Sequence, residues 1–84
     1  MLALLIEHDA HHGYSRVINL GHYHSVNTEL IIEDAQAEID KKDDMHFDVY
    51  HSIVCIYKTG KMYELNRETA ELSYAGQEVV VMGG

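Results

Sequence analysis

Apolar positions change their spacing along this chain from strand-like to helical and back again. Leu2–Glu7 is a short apolar run of strand length, and His8–Gly13 is a polar stretch ending on glycine. Tyr14–Leu20 is a second such run, with Val17 and Ile18 at its centre; two runs joined by about six residues predict an antiparallel hairpin. Ile32, Ala35 and Ile39 then recur at i, i+3 and i+7 with Ile31 beside them, which predicts one amphipathic helix. Ser25 or Asn27 is the expected cap, and Glu29 suits the positive end of the helix dipole. Lys41 and Lys42 suit the negative end, and Asp43-Asp44 breaks the pattern.

Everything beyond the helix reads as β. Phe47–Tyr57 is rich in Val, Ile and Tyr, Lys58-Thr59-Gly60-Lys61 is a tight turn, and Met62–Leu65 follows. Asn66-Arg67-Glu68-Thr69 is a second turn, after which Ala70 is expected in the left-handed position usually given to glycine. Leu72–Tyr74 is the next strand, Ala75-Gly76-Gln77 reads as a turn, and Glu78–Met82 as a sixth strand. The expected fold class is therefore α+β: a small, mostly antiparallel sheet in the order β-β-α-β-β-β, with one helix packed on one face. The whole of 1–84 is expected to form a single domain, since no linker, repeat or low-complexity tract divides it.

A two-residue hairpin around Thr59-Gly60 sets Tyr57 opposite Met62, Ile56 opposite Tyr63 and Val54 opposite Leu65. Val54, Ile56, Tyr63 and Leu65 then share the expected core face, and Ile53, Cys55, Tyr57 and Met62 share the other. That second face is also apolar, and a single helix cannot cover both. Either curl of the sheet or the C-terminal strand covers it, or Ile53, Tyr57 and Met62 meet a partner, whether a second copy or a target protein.

Charge narrows the classes of partner. Fourteen Asp and Glu face six Lys and Arg, for a formal net charge of −8, with seven histidines that would bring it to −1 if all were protonated. Direct binding of nucleic acid or of an anionic membrane is disfavoured, because neutralising phosphate needs clustered Lys and Arg. A basic protein partner remains, including one whose ordinary ligand is DNA or RNA. The lone Cys55 cannot form an intrachain disulfide, which fits the cytoplasm, and no run approaches the roughly 18 apolar residues of a membrane span. Met1–Ile6 is too short for an export signal and runs straight into Glu7 and Asp9.

Glu29–Asp44 holds seven carboxylates against two lysines. Glu29, Glu33 and Asp40 fall on one flank, with Asp34 and Glu38 on another. This is either a solvated helix face or a surface that docks on a basic groove in place of a phosphate backbone. In size and charge alone the chain resembles the small acidic proteins that phages use against restriction or CRISPR machinery. That resemblance implies an inhibitor of a nucleic-acid-handling host protein, acting in the host cytoplasm.

His8, His11 and His12 form H-x-x-H-H, and His22 and His24 form H-x-H. A hairpin holds the two clusters on the order of 25 Å apart, so one five-histidine site is not expected. A helix running back along the second strand would bring His46 and Asp44 to the first cluster. His8, His11, His12 and His46 would then be candidate ligands for zinc or nickel, with Asp9 or Asp44 completing the shell. Spacing without cysteine partners is equally that of loop histidines that bind nothing.

The chain ends Val79-Val80-Val81-Met82-Gly83-Gly84. A hairpin, a helix, further strands and a terminal diglycine resemble ubiquitin and the bacterial sulphur carriers. That resemblance implies a β-grasp fold, with the last strand beside the first, and a glycine carboxylate that is adenylated. A nucleophile elbow, a P-loop, a dinucleotide fingerprint and a C-x-x-C motif are all absent from the sequence. His51 and Cys55 share a strand face but lie about 13 Å apart, too far for a nucleophile and its base. The expectation is a non-enzymatic binding module.

Overall fold

The computed structural model describes residues 1–41 and 49–78, with side chains described through residue 75. Five strands, β1 (Leu2–Asp9), β2 (Tyr14–His22), β3 (Val49–Ile56), β4 (Lys61–Leu65) and β5 (Leu72–Glu78), and one helix, α1 (Thr28–Asp40), succeed one another in the order β-β-α-β-β-β. The strands form one antiparallel sheet in the order β2-β1-β3-β4-β5, and the helix packs on one face, as the apolar pattern predicts.

β1 is central, and its side chains alternate strictly between the two faces. Ala3, Leu5, Glu7 and Asp9 are buried beneath the helix side, while Leu2, Leu4, Ile6 and His8 are half-buried on the other. From β3, Cys55 and Ile53 stand opposite Ala3 and Leu5, and Leu65 of β4 stands opposite Ile53. Ile31 and Ala35 of α1 close this layer, both with no exposed surface, so the apolar stripe read at helical spacing is the one that packs. Ile32 and Ile39 flank it. Asn27 occupies the cap position, but its side chain makes no capping hydrogen bond.

Three departures from the sequence expectation have physical causes. The β3–β4 loop has three residues rather than two. Gly60 N–H donates to the Tyr57 carbonyl at 2.9 Å, and Tyr57 N–H donates to the Lys61 carbonyl at 3.0 Å. Gly60 takes φ +85°, the left-handed residue that follows a tight turn, whereas a two-residue loop asks positive φ of β-branched Thr59 as well. The extra residue shifts the register by one, so Ile56 opposes Met62, Cys55 opposes Tyr63, Val54 opposes Glu64 and Ile53 opposes Leu65. Every side chain of β3 therefore lies on the face opposite to the one expected. Second, Ala75-Gly76-Gln77 is no turn: β5 runs through it to Glu78, paired with Lys61. The expected sixth strand falls mostly outside the described residues. Third, β5 forms the edge of the sheet, while β1 is flanked by β2 and β3. A β-grasp sheet sets its last strand beside its first, so the likeness to ubiquitin and the sulphur carriers does not extend to this strand order.

Candidate functional site

The helix that seals the core turns its carboxylates away from it. Glu29, Glu33 and Asp40 are exposed. The side-chain nitrogen of Gln36 donates to Asp40 Oδ1 at 2.9 Å across one helical turn. Lys41 lies 3.0 Å from Glu38, whose side chain is partly covered, and no basic residue occupies the last helical turn itself. Asp34 belongs to the packing: the Tyr23 hydroxyl donates to it, anchoring the β2–α1 connection. Burial, reinforced by that carboxylate, pushes the Tyr23 hydroxyl up to about 12. Of the five helix carboxylates singled out from the sequence, Glu29, Glu33 and Asp40 thus form the outward acidic face, and Asp34 and Glu38 are engaged within the chain.

The three apolar residues expected to share an open face are separated by the register shift. Ile53 is a core residue beneath α1, with 1 % of its surface exposed. Tyr57 stands at the end of β3, its ring 4.8 Å from that of Tyr63, which in turn lies 5.5 Å from Tyr74. Only Met62 lies on the face away from the helix, opposite Ile56.

That face is nonetheless apolar. The register places Leu2 opposite Ile56, Leu4 opposite Val54 and Ile6 opposite Ser52, with Val17 of β2 beside Ile6. Among the described residues no element lies over it. The signal was present in β1: Leu2–Ile6 is apolar throughout rather than alternating, the pattern of a strand whose two faces are both meant to be covered.

The histidines scatter. His8 is on the open face, stacked on Tyr50 with ring centroids 4.6 Å apart, and within hydrogen-bond distance of Ser15 and Ser52. His12 Nδ1 lies 2.7 Å from Asp9 Oδ2, and His12 N–H donates to Asp9 Oδ1 at 3.0 Å. Asp9 is on the helix side of β1, so His8 and His12 diverge. His11 is exposed and meets His12 edge to face. Among the described residues no three His, Cys, Asp or Glu gather as metal ligands; His46 and Asp44 lie outside them.

One polar cluster has no signature in the sequence. Glu7, with 6 % of its side chain exposed, lies 3.3 Å from His51 Nε2 and 3.4 Å from Arg16 Nε. His51 pairs with Glu7 across β1–β3 and Arg16 pairs with Glu7 across β1–β2, so three distant residues meet only through the sheet register. The His51 side chain also borders a groove of about 530 Å³ between α1 and the β4–β5 turn, lined by Gln36, Asn66, Arg67 and Glu68 among others. Its lining also includes the Ser52 hydroxyl and the carboxylates of Glu64 and Glu68. Cys55 is fully buried, and burial pushes its thiol up to about 11, which makes it a poor nucleophile at neutral pH. Among the described residues no helix is long and apolar enough to cross a membrane. No protein-family model matches this chain, and neither a curated protein nor a solved structure matches it significantly.

Proposed function

We propose that this chain is a non-enzymatic protein-binding module that occludes a basic surface of a nucleic-acid-handling protein, in the manner of phage anti-restriction or anti-CRISPR inhibitors in a host cytoplasm. The observation that carries this reading is the outward face of α1. Glu29, Glu33 and Asp40 are exposed there, and the helix carries no Lys or Arg of its own. Carboxylates at i and i+4 stand about 6 Å apart along the axis, a spacing at which a groove built for phosphates can engage several at once. Complementary charge of this kind raises the rate of encounter and selects against acidic competitors.

The test uses the immobilised chain to retain DNA-binding proteins from a bacterial extract, with duplex DNA as eluent. On this reading DNA displaces the retained protein, and Glu33→Lys/Asp40→Lys weakens its affinity by about tenfold or more while flattening the dependence on salt. Retention that withstands both duplex DNA and the charge reversal would remove the acidic helix from the account.

A further inference from the structure

We propose that the edge of β3 at Val49–Ser52 takes up an extended, lysine- or arginine-bearing segment of a partner protein as an added strand. This goes beyond the acidic-helix reading: the surface and the mode of contact differ, and only the basic character of the partner is shared.

The edge follows from the register. β1 pairs with β3 along all of Val49–Ile56, whereas β4 pairs with it only from Ile53 to Ile56. β4 stops at Leu65, where the chain turns back: Asn66 N–H donates to the Glu71 carbonyl at 3.0 Å, and Ala70 N–H to the Asn66 carbonyl at 2.8 Å. One bond fixes which way each residue of β3 presents its backbone. Tyr57 N–H donates to Lys61, and bonding direction alternates with period two along an antiparallel strand. Cys55, Ile53, His51 and Val49 therefore aim N–H and C=O at the β4 side, while Ser52 and Tyr50 aim theirs at β1. Tyr63 and Leu65 meet Cys55 and Ile53. Among the described strands none meets His51 or Val49 on that side, so about 14 Å of strand edge lacks a ladder partner.

The space beside this edge is already shaped. The groove of about 530 Å³ runs past His51 and Ser52, with Gln36 of α1 and Glu68 of the β4–β5 turn also in its lining. It continues the lane of β4, so an entering strand abuts Leu65 and lies one strand spacing, about 4.8 Å, from β3. In strand addition the main-chain bonds supply affinity and alternate side chains supply selectivity.

Charge selects the occupant. Glu64 and Glu68 border the groove against Arg67 alone, in a chain of net charge −8. A second copy brings the same sign and is disfavoured. Glu64 stands opposite Val54, so an added residue opposite Ser52 emerges on the face of Glu64, where a lysine or arginine reaches its carboxylate. Residues 79–84 do not suffice. Glu78 stands opposite Lys61, about 20 Å short of the lane beside His51. Six residues span that only when fully extended, with none left to pair.

Fluorescence anisotropy of labelled hexapeptides, titrated with the full chain, tests this. The probe alternates valine and lysine. One control carries N-methyl groups on the valine amides, which removes the ladder donors and keeps the charge; another has glutamate for lysine. The expected result is saturable binding of the probe, at least tenfold weaker for either control, with amide exchange slowed at His51. Glu64→Lys/Glu68→Lys, at two exposed positions, should weaken the probe at least fivefold with circular dichroism unchanged. No binding at millimolar peptide, equal binding of the N-methylated control, or indifference to the charge reversal would overturn the proposal. A chain with residues 42–48 replaced by glycine and serine that binds the probe where the full chain does not would give the edge to the chain's own connection, and overturn it too.

Discussion

Asp9 shows how much one side chain settles in this protein. Its carboxylate receives the His12 backbone N–H and lies against the His12 ring, and Gly13 N–H donates to the Asp9 carbonyl at 2.9 Å, so the β1–β2 turn is wound around a single residue. The His12 backbone N–H foremost, then its side chain, holds the carboxyl below the usual value of 3.8. A carboxylate whose folded pKa is depressed stabilises the fold above its unfolded value, and that stability is lost as pH falls through the folded one. Asp9→Asn should therefore lower the melting temperature at pH 7. The gap to wild type should narrow below about pH 3.5, and a gap of equal size at both pH values would show that the charge is not what holds the turn. In the sequence Asp9 stands as a candidate to complete a metal shell beside the histidines, a grouping that does not form among the described residues. Its backbone role needed the turn to be seen, because a short polar side chain in a loop is consistent with many local bonds.

At the scale of elements, strands and helix were legible because each relies on a repeated pattern: Leu2–Ile6 as a run, Ile31 to Ile39 at helical spacing, and Val, Ile and Tyr in β3. Turns of the same chain divided. Ala70 was expected in a left-handed conformation and takes φ +59°, with its N–H donating to the Asn66 carbonyl and the Asn66 side chain receiving Glu68 and Thr69 N–H. An L-residue there costs about 1 kcal/mol that glycine avoids. Ala70→Gly should then raise the melting temperature by a few degrees, less what the unfolded chain gains in freedom, and a decrease would mean the turn tolerates the strain by other contacts. The Thr59-Gly60 turn was misjudged by one residue. Composition identifies a turn, but its length parity depends on which single residue accepts positive φ, and parity decides the face on which Ile53 and Val54 emerge. The Glu7–His51–Arg16 cluster was illegible for the same reason, since it exists only when two registers are known together.

At the scale of the whole molecule, negative charge and apolar surface are largely segregated among the described residues: carboxylates on the helix side and its turns, aliphatic side chains on the other face of the sheet, Glu64 excepted. Self-repulsion among fourteen carboxylates opposes compaction, and screening relieves it. Raising sodium chloride from 10 to about 300 mM should raise the melting temperature by a few degrees in thermal denaturation, whereas an unchanged or falling value would indicate that local ion pairs outweigh the net charge. The alternation along β1 has a consequence for how this chain tolerates change. Ala3 and Leu5 answer to folding alone, so a polar residue there is rejected in any setting. Leu2, Leu4 and Ile6 are half-buried on the other face, and on the proposal that this chain is a binding module they are the positions a contact there would constrain. A deep substitution scan scored once for folded protein and once for biological activity would show odd positions dark in both maps, while even positions darken chiefly in the second. On that outcome β1 would carry two interleaved records, one of the constraint that makes the fold and one of the constraint that puts it to use.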